Sequence, residues 1–107
     1  MSADEYKQKG NDAFRQKNFP EAIEYFSKAI EASEAPNHVL YSNRSACYTS
    51  LHQYSEALKD AEECVKINPT WAKGYNRVGA AEFGLSKYEE AASAYSKALE
   101  LDPSNAM

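Results

Sequence analysis

Apolar side chains along this chain recur with the period of an α-helix. Between residues 20 and 33 they occupy Ile23, Phe26, Ala29 and Ile30. Phe26 is three or four positions from each of the others, which puts the four on one face of a helix. Glycine and proline number four each, too few for the many turns of a β-sandwich. The pattern therefore predicts an all-α fold with six helices, near residues 3–16, 20–33, 37–51, 54–67, 71–84 and 88–101.

Residues that favour helix starts support several of these boundaries. Asn37 and Thr70 are expected N-caps, because their side chains can accept hydrogen bonds from the unpaired backbone N–H groups of a first turn. Pro20 suits the first turn of the second helix, where its missing N–H has no helical partner. Gly10 is the exception, since glycine inside a helix costs roughly 1 kcal/mol relative to alanine.

The chain repeats itself with a period close to 34 residues. The alanine of a Glu-Ala pair opens the second helix of each repeat at Ala22, Ala57 and Ala91, which are 35 and 34 residues apart. A tyrosine lies 16 residues before each of these alanines. Periods of 20 to 50 residues are typical of solenoids, in which each helix pair buries its apolar face against the next.

The period and its residues resemble the tetratricopeptide repeat. With the three alanines at the family's position 20, the small residue that the family has at position 8 is Gly10, Ser45 and Gly79. The resemblance implies that the two helices of a repeat cross closely there, which accounts for Gly10 despite its propensity. The first repeat departs from the pattern, because Pro36 lies two residues beyond the family's proline position.

The resemblance implies one domain over residues 1–107, a superhelical solenoid of three helix pairs. Its repeats are expected at about 3–37, 38–71 and 72–105. Ser104 or Asn105 resembles the N-cap of a further helix, so the C-terminal capping helix is expected to be absent or truncated and the chain to be part of a longer protein. Solenoids need a polar terminal cap, so we expect the outer face of the last helix to be exposed or to support self-association.

Composition and charge argue against several classes of function. The net charge is −4, with 16 acidic and 12 basic residues, and an acidic chain without a basic cluster is a poor match for nucleic acid. No apolar run is long enough for a membrane span, and the N-terminus lacks a signal-peptide pattern. We therefore expect a cytoplasmic protein that binds neither nucleic acid nor membrane.

Candidate catalytic and metal-binding residues are few. Cys47 and Cys64 fit buried, inert thiols of a reducing compartment. His38 and His52 have no nearby ligand partners, so no metal site is expected. Adjacent glutamates diverge around a helix, and no phosphate-binding loop or nucleophile elbow occurs. The sequence predicts no catalytic residue, no enzyme activity and no cofactor.

A polar stripe is predicted on the first helices of the three repeats. Positions 2, 5, 6 and 9 of each repeat differ by three or four and so share one face, which in a superhelix of helix pairs lines the concave groove. The stripe carries three bases and one acid although the chain is acidic, so the groove is expected to attract anions. Its members are Asp4, Lys7, Gln8, Asn11, Val39, Ser42, Asn43, Ala46, Lys73, Asn76, Arg77 and Ala80.

Five stripe residues are similar to the dicarboxylate clamp of chaperone-binding tetratricopeptide domains. Those domains show K-x-x-G-N, N-R and K-x-x-x-R in their first, third and fifth helices, and here the segments read KQKGN, NR and KGYNR. The resemblance implies that Lys7, Asn11, Asn43, Lys73 and Arg77 hold the C-terminal carboxylate and the terminal aspartate of an EEVD tail. Expected secondary peptide contacts are Phe14, Ala46, Thr49, Asn76, Ala80 and Phe83. Arg44 follows Asn43 but sits at position 7, towards the helix interior, so a packing or intramolecular pairing role is expected for it.

The segments NHVLYSNRSACYTSL and KINPTWAKGYNRVGAA resemble the first tetratricopeptide domain of the Hop-type co-chaperone, which organises two heat-shock chaperones. The resemblance implies a co-chaperone module for the C-terminal tails of cytosolic heat-shock proteins, with the 70-kDa class favoured over the 90-kDa class. Two alternatives stay open: a targeting domain of a larger enzyme such as a phosphatase or ubiquitin ligase, and a generic scaffold for an internal segment of a partner.

Overall fold

The computed structural model describes residues 1–104, which form α-helices and no β-strand. The helices are α1 (Ala3–Arg15), α2 (Phe19–Ala32), α3 (His38–Ser50), α4 (Tyr54–Ile67), α5 (Ala72–Gly84) and α6 (Tyr88–Leu101). The predicted all-α class is confirmed, and no predicted helix boundary differs from the observed one by more than one residue.

The helices pack as three consecutive pairs. α1 packs on α2, α3 on α4 and α5 on α6, while α2 with α3 and α4 with α5 join one pair to the next. The first helices of the second and third pairs, α3 and α5, are also in contact. The result is an elongated body of 40 × 26 × 22 Å, with the pairs stacked as in a solenoid.

The close crossing predicted at Gly10 is present. A Cβ atom built on Gly10 would lie 2.7 Å from the Cε1 atom of Phe26, whose side chain is fully buried. At the equivalent position of the third pair, a Cβ atom built on Gly79 would lie 2.9 Å from the ring of Tyr95. At the second pair Ser45 stands at this position and its Oγ donates a 2.8 Å hydrogen bond to the carbonyl oxygen of Ala57.

The turn inside each pair uses the same backbone conformation. Lys17, His52 and Ser86 have φ values of 61°, 59° and 64°, in the left-handed region that reverses the chain after a helix. They occupy equivalent places in the three pairs. The repetition of the sequence is thus reproduced in the turns as well as in the helices.

Two of the three residues predicted at helix starts are found there. Asn37 caps α3 by accepting a 2.9 Å hydrogen bond from the backbone N–H of Val39, and Pro20 lies in the first turn of α2. The prediction for Thr70 is wrong, because α5 begins at Ala72 with Trp71 as its N-cap residue. Thr70 instead hydrogen-bonds to the side chain of Asn68, two residues before it.

Most aromatic side chains are at least partly buried, whereas Phe14, Phe83 and Tyr88 are exposed. Tyr88 is 58% exposed at the start of α6, and Leu99 of the same helix is also exposed. The two residues lie on the last described helix, whose outer side no other described helix covers. Ser104 lies in a turn, bonded to Asp102, and the alternative N-cap Asn105 falls outside the described residues.

Candidate functional site

A buried ion pair joins α3 to α4 in the middle of the solenoid. Arg44 of α3 donates from Nε and Nη2 to the two carboxylate oxygens of Asp60 in α4, both at 2.7 Å. Its Nη1 atom donates to Ser27 Oγ of α2 at 3.0 Å. The bond to Asp60 raises the pKa of Arg44. The intramolecular pairing predicted for Arg44 is confirmed, and it fixes the helix that carries Asn43.

Arg77 of α5 has a different environment from Arg44. Its Nε atom donates a 3.1 Å hydrogen bond to Ser42 Oγ of α3, and within residues 1–104 no carboxylate forms an ion pair with it. Burial lowers the pKa of Arg77, because the charged form has lost part of its hydration. Arg77 is therefore a partly desolvated cation held by a neutral group.

The other predicted clamp residues lie on α1, α3 and α5, the first helices of the three pairs. Lys7 and Asn11 lie one turn apart on α1, both partly buried, and Asn43 lies on α3, also partly buried. Lys73 is exposed and precedes Arg77 by one turn of α5. Neither lysine forms an ion pair with a carboxylate among residues 1–104. The convergence of all five residues on one carboxylate stays a prediction.

The predicted secondary contacts include two exposed aromatic residues. Phe14 is 37% exposed and meets the edge of the Phe19 ring at a centroid distance of 5.5 Å, and Phe83 is 59% exposed and meets Tyr88 at 5.2 Å. Both rings are available as apolar surface for a ligand. The remaining predicted contacts are partly buried: Ala46, Thr49, Asn76 and Ala80.

A cleft of about 570 Å³ opens between the start of α5 and the end of α6. Its mouth includes Lys73 and Trp71, and the Trp71 ring packs edge-on against His38 at a centroid distance of 4.7 Å. The side chain of Asn68 contacts His38 Nε2 at 3.2 Å. The cleft is lined by Thr70, Trp71, Ala72, Lys73, Asn76, Leu101 and Asp102.

The two thiols are structural groups of the core. Cys47 and Cys64 are fully buried and unbonded to each other. Burial raises the pKa of Cys47 to about 12 and that of Cys64 to about 11, although the charge of Arg77 acts in the opposite direction. Such thiols carry almost no thiolate at neutral pH. The prediction that they are buried core residues is confirmed.

The part of the chain that the structure describes holds neither a candidate metal cluster nor a membrane-spanning helix. Among residues 1–104, no three His, Cys, Asp or Glu side chains are grouped in a way that could hold a metal ion. In the same part of the chain, every helix is too short or too polar to cross a membrane.

The comparison with family models defines the class of protein. A model of the tetratricopeptide repeats of BSK1-like serine/threonine-protein kinases matches residues 2–78, and a tetratricopeptide repeat model matches residues 72–105. The chain therefore belongs to the tetratricopeptide repeat family, as its period predicted.

Two curated relatives that the chain resembles are chaperone-organising or heat-shock proteins. The chain is 69% identical over 105 residues to heat shock protein STI1 of Saccharomyces cerevisiae, and 58% identical over 103 residues to the Hsp70-Hsp90 organizing protein of Triticum aestivum. The alignments cover 98% and 96% of this chain but 18% of each relative. The predicted similarity to a tetratricopeptide domain of the Hop type is confirmed.

Solved structures of similar fold include two tetratricopeptide domains with bound peptides. The first tetratricopeptide domain of Spaghetti (RPAP3), bound to the HSP90 peptide SRMEEVD, is 39% identical with a TM-score of 0.92, covering 97% of this chain and 82% of that one. The second such domain of human RPAP3, in complex with the HSP70 peptide SGPTIEEVD, is 32% identical with a TM-score of 0.87, covering 94% and 82%.

One residue of the site was placed on the stripe by sequence but given no role. Ser42 is the register equivalent of Lys7, so the spacing predicted a groove-lining side chain. The structure buries it completely and makes it the acceptor for Arg77. Its position beside Asn43 indicated that Ser42 lies near the clamp. Its hydrogen-bond partner is 35 residues away on another helix, and the spacing of residues along one helix does not predict such a bond.

Proposed function

We propose that this chain is a co-chaperone module that holds the C-terminal EEVD tail of a cytosolic heat-shock protein in the groove formed by α1, α3 and α5. The observation that carries the proposal is Arg77, a partly buried guanidinium without an anionic partner among residues 1–104. A desolvated cation is costly unless an opposite charge approaches it. A ligand carboxylate would supply that charge, and two similar folds are solved with EEVD peptides.

Each clamp residue has a role suited to its chemistry. Lys7, Lys73 and Arg77 provide charge-assisted hydrogen bonds to the main-chain carboxylate and to the side chain of the terminal aspartate. Asn11 and Asn43 provide amide donors that fix the plane of a carboxylate. These residues bind and orient the peptide, and no bond is made or broken.

The apolar part of the peptide would be received by the secondary contacts. Phe83 and Phe14 expose ring surface on the same helices as the clamp, which suits an aliphatic residue upstream of the EEVD sequence. Charged hydrogen bonds of roughly 1.5–3 kcal/mol each, offset by the ordering of a flexible peptide, lead to an affinity near micromolar, about −8 kcal/mol. Such an affinity permits release and transfer.

Single substitutions in the clamp test the proposal. Titration of the peptide SRMEEVD by calorimetry should show Lys73→Ala and Arg77→Ala weakening binding by roughly ten- to a hundredfold, because each loses a charged hydrogen bond. Lys97→Ala is the matched control, since Lys97 is exposed on α6 and should bind as the parent chain does. Unchanged affinity in both clamp variants would overturn the proposal.

We further propose that the 70-kDa class of tail is preferred and that the chain acts in the cytoplasm. The preference is what the resemblance to the first tetratricopeptide domain of the Hop type implies, and the clamp does not decide it, because both peptide classes end in EEVD. Side-by-side titration of SGPTIEEVD and SRMEEVD tests it. Tighter binding of the second peptide would reverse the preference and leave the clamp itself intact.

A further inference from the structure

The side chain of Ser42 is the only described protein group to which Arg77 donates, judged over residues 1–104. Ser42 is fully buried on α3, and the 3.1 Å bond runs from Arg77 Nε to its Oγ. A serine hydroxyl accepts a hydrogen bond without carrying charge. The bond therefore fixes the guanidinium in place and leaves its positive charge uncompensated.

The contrast with Arg44 shows what this arrangement achieves. Arg44 donates from Nε and Nη2 to the carboxylate of Asp60 and from Nη1 to Ser27, so its charge and its donors are used inside the protein. Within the described part of the chain, Arg77 forms a hydrogen bond only through Nε. A guanidinium has five N–H donors in a rigid plane, so four of them, on the two Nη atoms, remain for a ligand.

Anchoring matters because arginine has a long and mobile side chain. A ligand that must first order such a side chain loses affinity, and a side chain already held in its bound geometry avoids that loss. The bond also joins α5, which carries Lys73 and Arg77, to α3, which carries Asn43 next to Ser42. It thereby sets the spacing between two parts of the clamp.

We propose that Ser42 is a positioning residue of the peptide clamp, which holds Arg77 by its Nε atom and presents the two Nη groups to the carboxylate of the bound tail. This inference rests on the proposed function. Ser42 does not touch the peptide, so its effect on affinity passes entirely through Arg77.

A double-mutant cycle tests this dependence. With the peptide SRMEEVD, Ser42→Ala should weaken binding about three- to tenfold. In the Arg77→Ala background the same substitution should change affinity by less than about twofold, because the group that Ser42 positions is gone. Ser42→Ala that binds like the parent chain, or that weakens binding equally in both backgrounds, would overturn the inference.

Ser45→Ala is the matched control for general damage to α3. Ser45 is fully buried on the same helix, but its hydroxyl donates to the carbonyl oxygen of Ala57 and not to the clamp. It should leave peptide affinity unchanged, even if urea unfolding shows a loss of stability. A loss of affinity equal to that of Ser42→Ala would assign the effect to packing and contradict the inference.

A second readout does not depend on the peptide. In the NMR spectrum of the free chain, the Nε–H signal of Arg77 should be sharp and protected from solvent exchange, and Ser42→Ala should broaden or shift it selectively. An Arg77 signal that Ser42→Ala leaves unchanged would overturn the inference. If neither Lys73→Ala nor Arg77→Ala weakens peptide binding, or if the parent chain does not bind the peptide, the proposed function fails, and this signal alone decides whether Ser42 positions Arg77.

Discussion

Arg44 and Asp60 form a two-pronged ion pair across α3 and α4, with both N–O distances at 2.7 Å. The Asp60 side chain is 8% exposed, so this pair is shielded from water and salt far more than a surface pair. Its consequence for the site is indirect. The pair anchors the helix on which Asn43 and Ser42 are located.

Removing Asp60 should destabilise the fold strongly. Asp60→Ala leaves the guanidinium of Arg44 buried without its counter-charge, for which we expect a loss of about 3–5 kcal/mol in the free energy of unfolding, measured by urea denaturation. Asp12→Ala is the control, because the Asp12–Arg15 pair is largely exposed and should be worth no more than about 1 kcal/mol. Similar losses in the two variants would contradict the structural role of Asp60.

Alanine at the two helix-crossing glycines should have unequal effects. Gly10→Ala places a methyl group against the ring of Phe26, which is fully buried and has no room to move. Overpacking of this kind costs about 1–3 kcal/mol and outweighs the gain of roughly 1 kcal/mol in helix propensity. Gly79→Ala meets Tyr95, which is only partly buried and can shift, so its loss should be smaller. Thermal unfolding that ranks the two variants in the opposite order would refute this explanation.

Neither thiol should react in the folded chain. With the pKa of Cys47 raised to about 12 and that of Cys64 to about 11 by burial, almost no thiolate exists at pH 8, and neither sulfur is accessible. A chromogenic disulfide reagent should therefore detect no thiol in the native chain and two thiols in guanidinium chloride. Rapid reaction of either cysteine without denaturant would show that the core opens there.

Glu82 should reduce stability at neutral pH. Its pKa is raised by burial and by the nearby Glu90 and Glu62, and one of its carboxylate oxygens is buried without a hydrogen-bond partner in the described chain. A carboxyl group whose pKa is higher in the folded than in the unfolded chain contributes stability at pH values below its unfolded pKa. That contribution is lost as the pH rises through its folded pKa. Glu82→Gln should thus raise the melting temperature at pH 7 and change it little at pH 3.5.

The exposed Glu31 of α2 offers a control for that comparison. Glu31→Gln should leave the melting temperature nearly the same at both pH values, because its carboxylate is in water in either state. An equal rise in melting temperature at pH 7 for the two variants would indicate a general charge effect and not the burial of Glu82.

The repeat made much of the fold predictable from sequence. Small residues at Gly10, Ser45 and Gly79 marked the helix crossings, and the apolar period marked the buried faces, because both follow from contacts that each helix pair makes locally. The helix start at Thr70 was mispredicted, because the Asn68 side chain bonds Thr70 within the preceding turn. Such competition between neighbouring polar side chains is not encoded in helical spacing.

The site was only partly predictable for a related reason. Spacing on one helix placed Lys73 and Arg77 on one face, and the pattern of residue types pointed to a carboxylate ligand. The bond from Arg77 to Ser42 joins residues on different helix pairs, so it depends on how α5 settles against α3. Side-chain exposure at Tyr88 likewise depends on which helices cover α6, which its own residues do not reveal.

The central claim is that the groove recognises the free carboxylate at the end of the peptide. Calorimetric titration of SRMEEVD against the same peptide with an amidated C-terminus tests it most directly, because amidation removes one charge and changes nothing upstream. We predict near-micromolar binding of the free acid and at least a tenfold weaker binding of the amide. Equal affinities for the two peptides would contradict the clamp and favour a scaffold that binds an internal segment.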